Sequence, residues 1–330
     1  MPRLDDLASA DIARAALTRG RYPVAKLISL VEDQRADAAE RRDEALSVLE
    51  DAAAERGHHG RIIGLTGTPG SGKSSLLARV ANQMLATDLQ LTVAMVAVDP
   101  SSPTSGGALL GDRTRMNLDP AETRAFFRSQ ASTTALGGLA PSTYTVCCAL
   151  TFIFDCVIVE TVGIGQSEAD IRHLADKVYL VLAPLGGDEV QYLKAGIIEI
   201  PDAFVINKWD EPAAAKTFHQ LRGSLWLARP LDGDRIPIHR TSAKNGHGID
   251  ELARALAGDI RQPGPSSPET KAAHFFASWV QDEWGRTGAR HLNTTLGGAQ
   301  AFLTGQRGFG SAQAEFERSI RAQLRSGTGA

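Results

Sequence analysis

Between residue 61 and about residue 257 the chain alternates short apolar runs with longer amphipathic stretches. The runs are RIIGLT (61–66), TVAMVAV (92–98), FDCVIVET (154–161), VYLVLA (178–183), AFVIN (203–207) and IPIHRTS (236–242). Most lack the polar alternation of a half-exposed strand, so they read as strands buried on both faces. Between most of them lie segments with helical spacing: SSLLARVANQMLAT (74–87), SEADIRHLAD (167–176), DEVQYLKAGIIEI (188–200) and GIDELARALAGDI (248–260). Strand and helix in alternation imply the α/β class, with three layers, α/β/α, around a mainly parallel central sheet.

Outside this region the pattern is helical. Residues 4–56 carry apolar positions at helical spacing, with Pro23 expected to break the pattern and residues 33–57 to form a long charged helix. RQPGPSSPET (261–270) reads as a linker. Beyond it, Phe275, Phe276, Trp279 and Val280 form a helical stripe, equally suited to packing on its own domain and to lining a subunit interface. A further helix is predicted over 313–324, followed by a frayed SGTGA tail. The expected organisation is an N-terminal helical extension over 1–56, an α/β domain over 57–260, and a linker with a C-terminal helical arm over 261–330.

Composition narrows the function classes. Thirty-five basic residues stand against 38 acidic ones, which gives no reason to expect a nucleic-acid partner. No apolar run reaches the ~20 residues of a membrane span, and the N-terminus does not resemble a signal peptide, so a cytoplasmic location is expected. Three cysteines, with no CxxC pair, agree with a reducing compartment. Cys156 falls within an apolar run and is expected to be a small buried hydrophobe. Cys147 and Cys148 are neighbours, a poor spacing for two metal ligands on one strand face. His58 and His59 fall in a linker and are expected to be solvated.

Specific chemistry begins at GTPGSGKS (67–74), which fits G-x-x-x-x-G-K-[ST] between a strand and a helix. This context identifies a phosphate-binding loop and places the fold among the P-loop NTPases. Gly67, Gly70 and Gly72 allow the tight turn that aims backbone N–H groups at phosphate oxygens. Pro69, Ser71 and Ser75 complete the candidate nucleotide contacts. Lys73 is placed to reach the β- and γ-phosphates, and Ser74 to ligate Mg²⁺.

The base is read further along. NKWD (207–210) matches the N-K-x-D guanine motif: Asp210 can accept from guanine N1–H and the 2-amino group, Asn207 frames the loop, and the Lys208 stem can lie along the base. TSAKNGHG (241–248) supplies a Ser-Ala turn, in which Ser242 and the Ala243 amide are candidates for the O6 side of the base. VETVG (159–163) stands where many GTPases have D-x-x-G, offering Glu160 towards Mg²⁺ and Gly163 towards the γ-phosphate. The following IGQSEADI would then sense the γ-phosphate, with Gln166 a candidate to orient the attacking water. VDPSSPTSGGALLGDRTRM (98–116) places Asp99 and Asp112 at either end of a Ser/Gly-rich loop. That loop is either a solvated connection or a surface that closes on a ligand.

Together, GLTGTPGSGKSSL, VAVDPSS with GDRTRM, ALGGLA, DCVIVETVGIGQSE, GGDEVQ and NKWD occur in the order found in MeaB/MMAA-type GTPases. The chain resembles that family over about 57–255 and more loosely in the flanking helices. The resemblance implies a homodimer using the C-terminal arm, with GTP/GDP and Mg²⁺ as ligands. It implies an adenosylcobalamin-dependent acyl-CoA mutase as partner, the adenosylcobalamin belonging to that mutase. Members gate cofactor loading and protect or reactivate the mutase. By position, Lys73, Asp99, Asp112, Glu160 and Gly163 correspond to the catalytic surroundings, and Ser74, Asp99, Asp112 and Glu160 to the Mg²⁺ site. Asp188, Glu189 and Lys194, in GGDEVQYLKAG (186–196), correspond to the start of a mutase-contacting segment. RSQAST (128–133), Pro201 and the arm after about residue 285 depart from the family pattern. The partner could therefore be methylmalonyl-CoA mutase or a mutase of isobutyryl- or 2-hydroxyisobutyryl-CoA. Alternative functions with this motif set are a metallochaperone-type GTPase and a kinase linked to arginine/ornithine transport.

Overall fold

The computed structural model describes residues 7–33, 35, 38–100, 122–132, 139–161, 167–184, 198–262 and 264–327. Three helices come first: α1 (Ser9–Ala16), α2 (Arg21–Val31) and α3 (Ala39–Glu55). There follow β1 (Arg61–Gly67), α4 (Lys73–Thr87), β2 (Val93–Pro100), β3 (Ala125–Ser132) and α5 (Pro141–Thr151). The chain continues through β4 (Cys156–Thr161), α6 (Ser167–Leu174), β5 (Lys177–Leu182), β6 (Ala203–Ile206), α7 (Ala214–Ala228), β7 (Ile238–Arg240) and α8 (Ile249–Asp259). It closes with α9 (Pro268–Thr294), α10 (Ala299–Leu303) and α11 (Phe309–Gly327).

Two compact units result. One combines described parts of 60–139 and 154–265, the other described parts of 1–59, 140–153 and 266–330. The first holds a seven-stranded sheet in the order β3-β2-β4-β1-β5-β6-β7. Every pairing is parallel. The α/β expectation holds, and the sheet has one strand more than the apolar runs predicted. β3 (AFFRSQAS) is the addition; among the described residues it is an edge strand paired with β2, and it carries the polar Arg128, Ser129 and Gln130.

Helical periodicity explains how the sheet is covered. On α4, Leu76, Leu77, Val80, Ala81, Met84 and Leu85 repeat every three to four residues and are buried. They share a core with Ile63 and Leu65 of β1, Ile158 of β4 and Leu252, Ala253 and Leu256 of α8. Burying each such Leu or Val contributes about 1.5–3 kcal/mol, which fixes α4 and the loop before it against β1. A separate cluster joins Leu221 and Leu225 of α7 to Leu180, Leu182, Phe204 and Ile206, with Trp209 and Phe218 packed on its margin.

In the helical unit, Pro23 does not interrupt a helix. It lies in the first turn of α2, where a missing N–H leaves no intrahelical bond unmade. The charged helix begins at Ala39, later than its pattern suggested. Phe276, Trp279 and Val280 pack with Leu292, Ala312, Phe316 and Ile320, while Phe275 stacks on Tyr144 of α5 with ring centroids 4.9 Å apart. The aromatic stripe is thus buried within its own unit. Asp43 of α3 accepts from the Gly310 and Ser311 amides, at 3.0 and 2.6 Å, and so caps the start of α11. Among the described residues no helix is long and apolar enough to cross a membrane. The 188–200 helix falls mostly outside the described residues, and its last three residues form a turn.

Candidate nucleotide site

Parallel pairing sets the C-terminal ends of β4, β1, β5, β6 and β7 in succession along one edge of the sheet. Open α/β sheets bind ligands at this edge. GTPGSGKS leaves β1, Glu160 stands near the end of β4, NKWD follows β6 and TSAK follows β7. Four motifs distant in sequence are therefore neighbours.

At the loop after β1, Gly67 has φ 149°, and a Cβ there would stand 2.0 Å from the Val181 carbonyl oxygen of β5. No side chain fits that approach. Gly72 opens α4 at φ 82°, and its Cβ would stand 2.8 Å from Asn207 Nδ2. Pro69 and Gly70 are exposed at the loop tip, and Ser75 is exposed on α4. The buried Lys73 curls back so that Nζ donates to the carbonyls of Gly67 (2.9 Å) and Thr68 (3.1 Å). The Ser71 hydroxyl donates to the Thr68 carbonyl at 2.8 Å.

Beside this loop, the Ser74 hydroxyl donates to Glu160 Oε1 at 2.7 Å. The β1–β4 register sets Glu160 next to Leu65, two residues before Gly67, so its side chain meets the first turn of α4. A buried carboxylate touching a hydroxyl is a pair of hard oxygen donors, which fits Mg²⁺. Asp99 stands near the end of β2, its Cα paired with Ala131. Asp112, Gly163, Gln166 and the segment 186–196 lie outside the described residues.

The base end is built around Asn207. Its Nδ2 donates to the Ser71 carbonyl at 2.8 Å, while its Oδ1 accepts from the Ala243 amide at 3.2 Å. One buried amide thus ties the Ser-Ala turn to the phosphate loop, whose Ser71 lies 136 residues before Asn207 in the sequence. Lys208 adopts φ 56° at the bend. Asp210 then accepts from the Ser242 hydroxyl at 2.6 Å, with Lys244 Nζ 3.9 Å from its other oxygen. The Ser242 hydrogen bond, aided by Lys244 and Lys208, holds the Asp210 carboxyl below its usual range, so it is ionised at neutral pH. Sequence reasoning overlooked Lys244, although its place directly after Ala243 was available as a signal. The motif assigned Asn207 to framing the loop, but the atoms its amide meets, the Ser71 carbonyl and the Ala243 amide, depend on strand adjacency.

Elsewhere, Cys147 and Cys156 are buried free thiols, and burial pushes both pKa values up. Cys156 is the buried hydrophobe expected. Among the described residues no three His, Cys, Asp or Glu side chains group as a metal site.

The family model described as "Methylmalonyl Co-A mutase-associated GTPase MeaB" matches residues 24–264. The chain belongs to the MeaB family. Relatives agree with this membership. GTPase ArgK of Escherichia coli is 36% identical over 261 residues, covering 77% of this chain and 76% of that protein. A protein of Pyrococcus abyssi that carries a GTPase name is 41% identical, covering 70% of each chain. The mouse mitochondrial methylmalonic aciduria type A homolog is 37% identical over 66% of this chain and 54% of its own. Among solved structures, the LAO/AO transport system kinase superposes with a TM-score of 0.60 at 24% identity, covering 88% of both chains, a likeness of fold. As a MeaB-family member the chain is a P-loop GTPase and binds guanine nucleotide.

Proposed function

We propose that this GTPase is a Mg²⁺-dependent chaperone of an adenosylcobalamin-dependent acyl-CoA mutase, acting as a homodimer. The partner is methylmalonyl-CoA mutase or a mutase acting on isobutyryl- or 2-hydroxyisobutyryl-CoA. GTP hydrolysis gates cofactor loading and protects or reactivates that mutase. The observation that carries this reading is the meeting of Ser74, Glu160, Asn207 and Asp210 at one sheet edge, in a chain of a mutase-associated family. Lys73 is to exchange its two carbonyl partners for β- and γ-phosphate oxygens, and Gly67, Pro69, Gly70, Ser71, Gly72 and Ser75 to shape the loop around them. Ser74 and Glu160, with Asp99 and Asp112, are to hold Mg²⁺, which supplies charge neutralisation across the phosphates. Gly163 is assigned to the γ-phosphate. Asn207, Lys208, Asp210, Ser242 and Ala243 are to enclose the guanine.

Slow intrinsic hydrolysis follows if the partner completes the catalytic set. A transition-state group supplied in trans raises turnover by about 10³–10⁵-fold in known GTPases. The purified protein should hydrolyse GTP slowly in Mg²⁺, prefer it clearly to ATP, and speed up when its cognate mutase is added. Equal rates with ATP, or no response to any cobalamin mutase, would overturn the proposal. The metal assignment has its own check. Glu160→Gln should raise the Mg²⁺ concentration for half-maximal hydrolysis by roughly 10–100-fold, measured by titrating Mg²⁺ against turnover; an unchanged midpoint removes Glu160 from the metal site.

A further inference from the structure

The last residue of β7 and the two that follow it hold two successive residues of NKWD. The Ser242 hydroxyl donates to Asp210, and the Thr241 carbonyl accepts from the Trp209 amide at 2.8 Å. One residue earlier, the Arg240 guanidinium carbon lies over the Trp209 ring at 5.4 Å and over the Phe218 ring of α7 at 5.7 Å. Trp209 and Phe218 meet edge to face, 6.2 Å apart, on the margin of the α7 core. Arg222 approaches Phe218 as well, at 5.7 Å. Arg240 pairs with Ile206 across β6 and β7, so it is anchored immediately beside the strand that delivers NKWD. Within that turn Lys208 takes a left-handed φ of 56°, uncommon for a side-chain-bearing residue and sustained only by its surroundings.

We propose that Arg240 is a positioning residue for guanine recognition, setting the orientation of Asp210 through Trp209. The proposal rests on the guanine role assigned to Asp210. A weakly hydrated guanidinium with its charge spread over three nitrogens can approach both rings at once, which neither an apolar chain nor a compact ammonium does equally well. With Trp209 fixed by its ring outside and its amide inside, the next residue has little freedom to rotate. Such orientation matters most for the guanine 2-amino group, the second arm of a two-point contact.

The test compares GTP with ITP, whose hypoxanthine lacks the 2-amino group, in the full-length protein. Arg240→Met should weaken GTP binding about 2–5-fold, reduce the preference for GTP over ITP by the same factor, and raise KM with kcat unchanged. Arg240→Lys should fall between. An unchanged GTP-to-ITP ratio, or an equal loss for both nucleotides accompanied by a lower Tm, would show a merely structural cation and overturn the proposal. Asp210→Asn, measured alongside, separates the two levels. If it leaves nucleotide choice unaltered, the guanine assignment fails and takes this proposal with it. If it shifts choice to XTP while Arg240→Met keeps the ratio, only the role of Arg240 fails.

Discussion

Replacing Lys73 by alanine is expected to cut GTP turnover by at least about 10²–10³-fold, the loss typical when one preorganised charge-stabilising donor is removed. The chain should remain folded. In the structure the ammonium donates to the Gly67 and Thr68 carbonyls of its own loop. Neither Gly67 nor Thr68 belongs to the core formed by Leu76, Leu77 and Val80. Turnover measured beside a thermal melt separates the two effects. Near-normal hydrolysis in the variant would remove Lys73 from the catalytic set, and a collapsed melt would mean that its main work is structural.

Asp210→Asn carries the second large effect and tests the other end of the site. In the proposed site the Asp210 carboxylate, ionised at neutral pH, accepts two guanine N–H donors, and each hydrogen bond to a charged group is worth about 1.5–3 kcal/mol. Asparagine keeps an acceptor for the Ser242 hydroxyl, so the turn should survive. It offers one donor where guanine also donates. GTP affinity should fall about 100-fold or more, while XTP, which presents a carbonyl in place of the 2-amino group, should bind better than GTP. Competition binding with both nucleotides reads the switch. Unaltered GTP affinity would remove Asp210 from base recognition.

Both ends of the site could be read in the sequence because each is a compact motif whose spacing follows from backbone chemistry. Glycines at 67 and 72 belong to a turn that has no room for other residues, and NKWD directly follows an apolar strand. Strands with two buried faces were legible for the same local reason. β3 was not, since an edge strand need not be apolar and AFFRSQAS is mixed. α5 (PSTYTVCCALT) has no contrast between faces. Eight of its eleven residues are buried, which erases the periodicity that marks an amphipathic helix. α7 was also missed, its pattern weakened by Gly223 and by the exposed Trp226 and Leu227. The contact between Asn207 and Ser71 was out of reach for a different reason: it follows from strand order, which a linear pattern does not state.

The position of α5 limits how this protein can be dissected. Its Tyr144 stacks against Phe275 of α9 and lies 5.5 Å from Phe309 of α11, yet it is encoded between β3 and β4, in the middle of the sheet-forming sequence. The flanking helices are therefore not detachable tails. A minimal GTPase made by trimming both termini would keep α5 but discard its neighbours, leaving Val146, Cys147 and Leu150 without the helices that α5 packs against. Engineering that swaps the helical unit for a homologue's must therefore exchange three separated stretches of chain together, 1–59, 140–153 and 266–330.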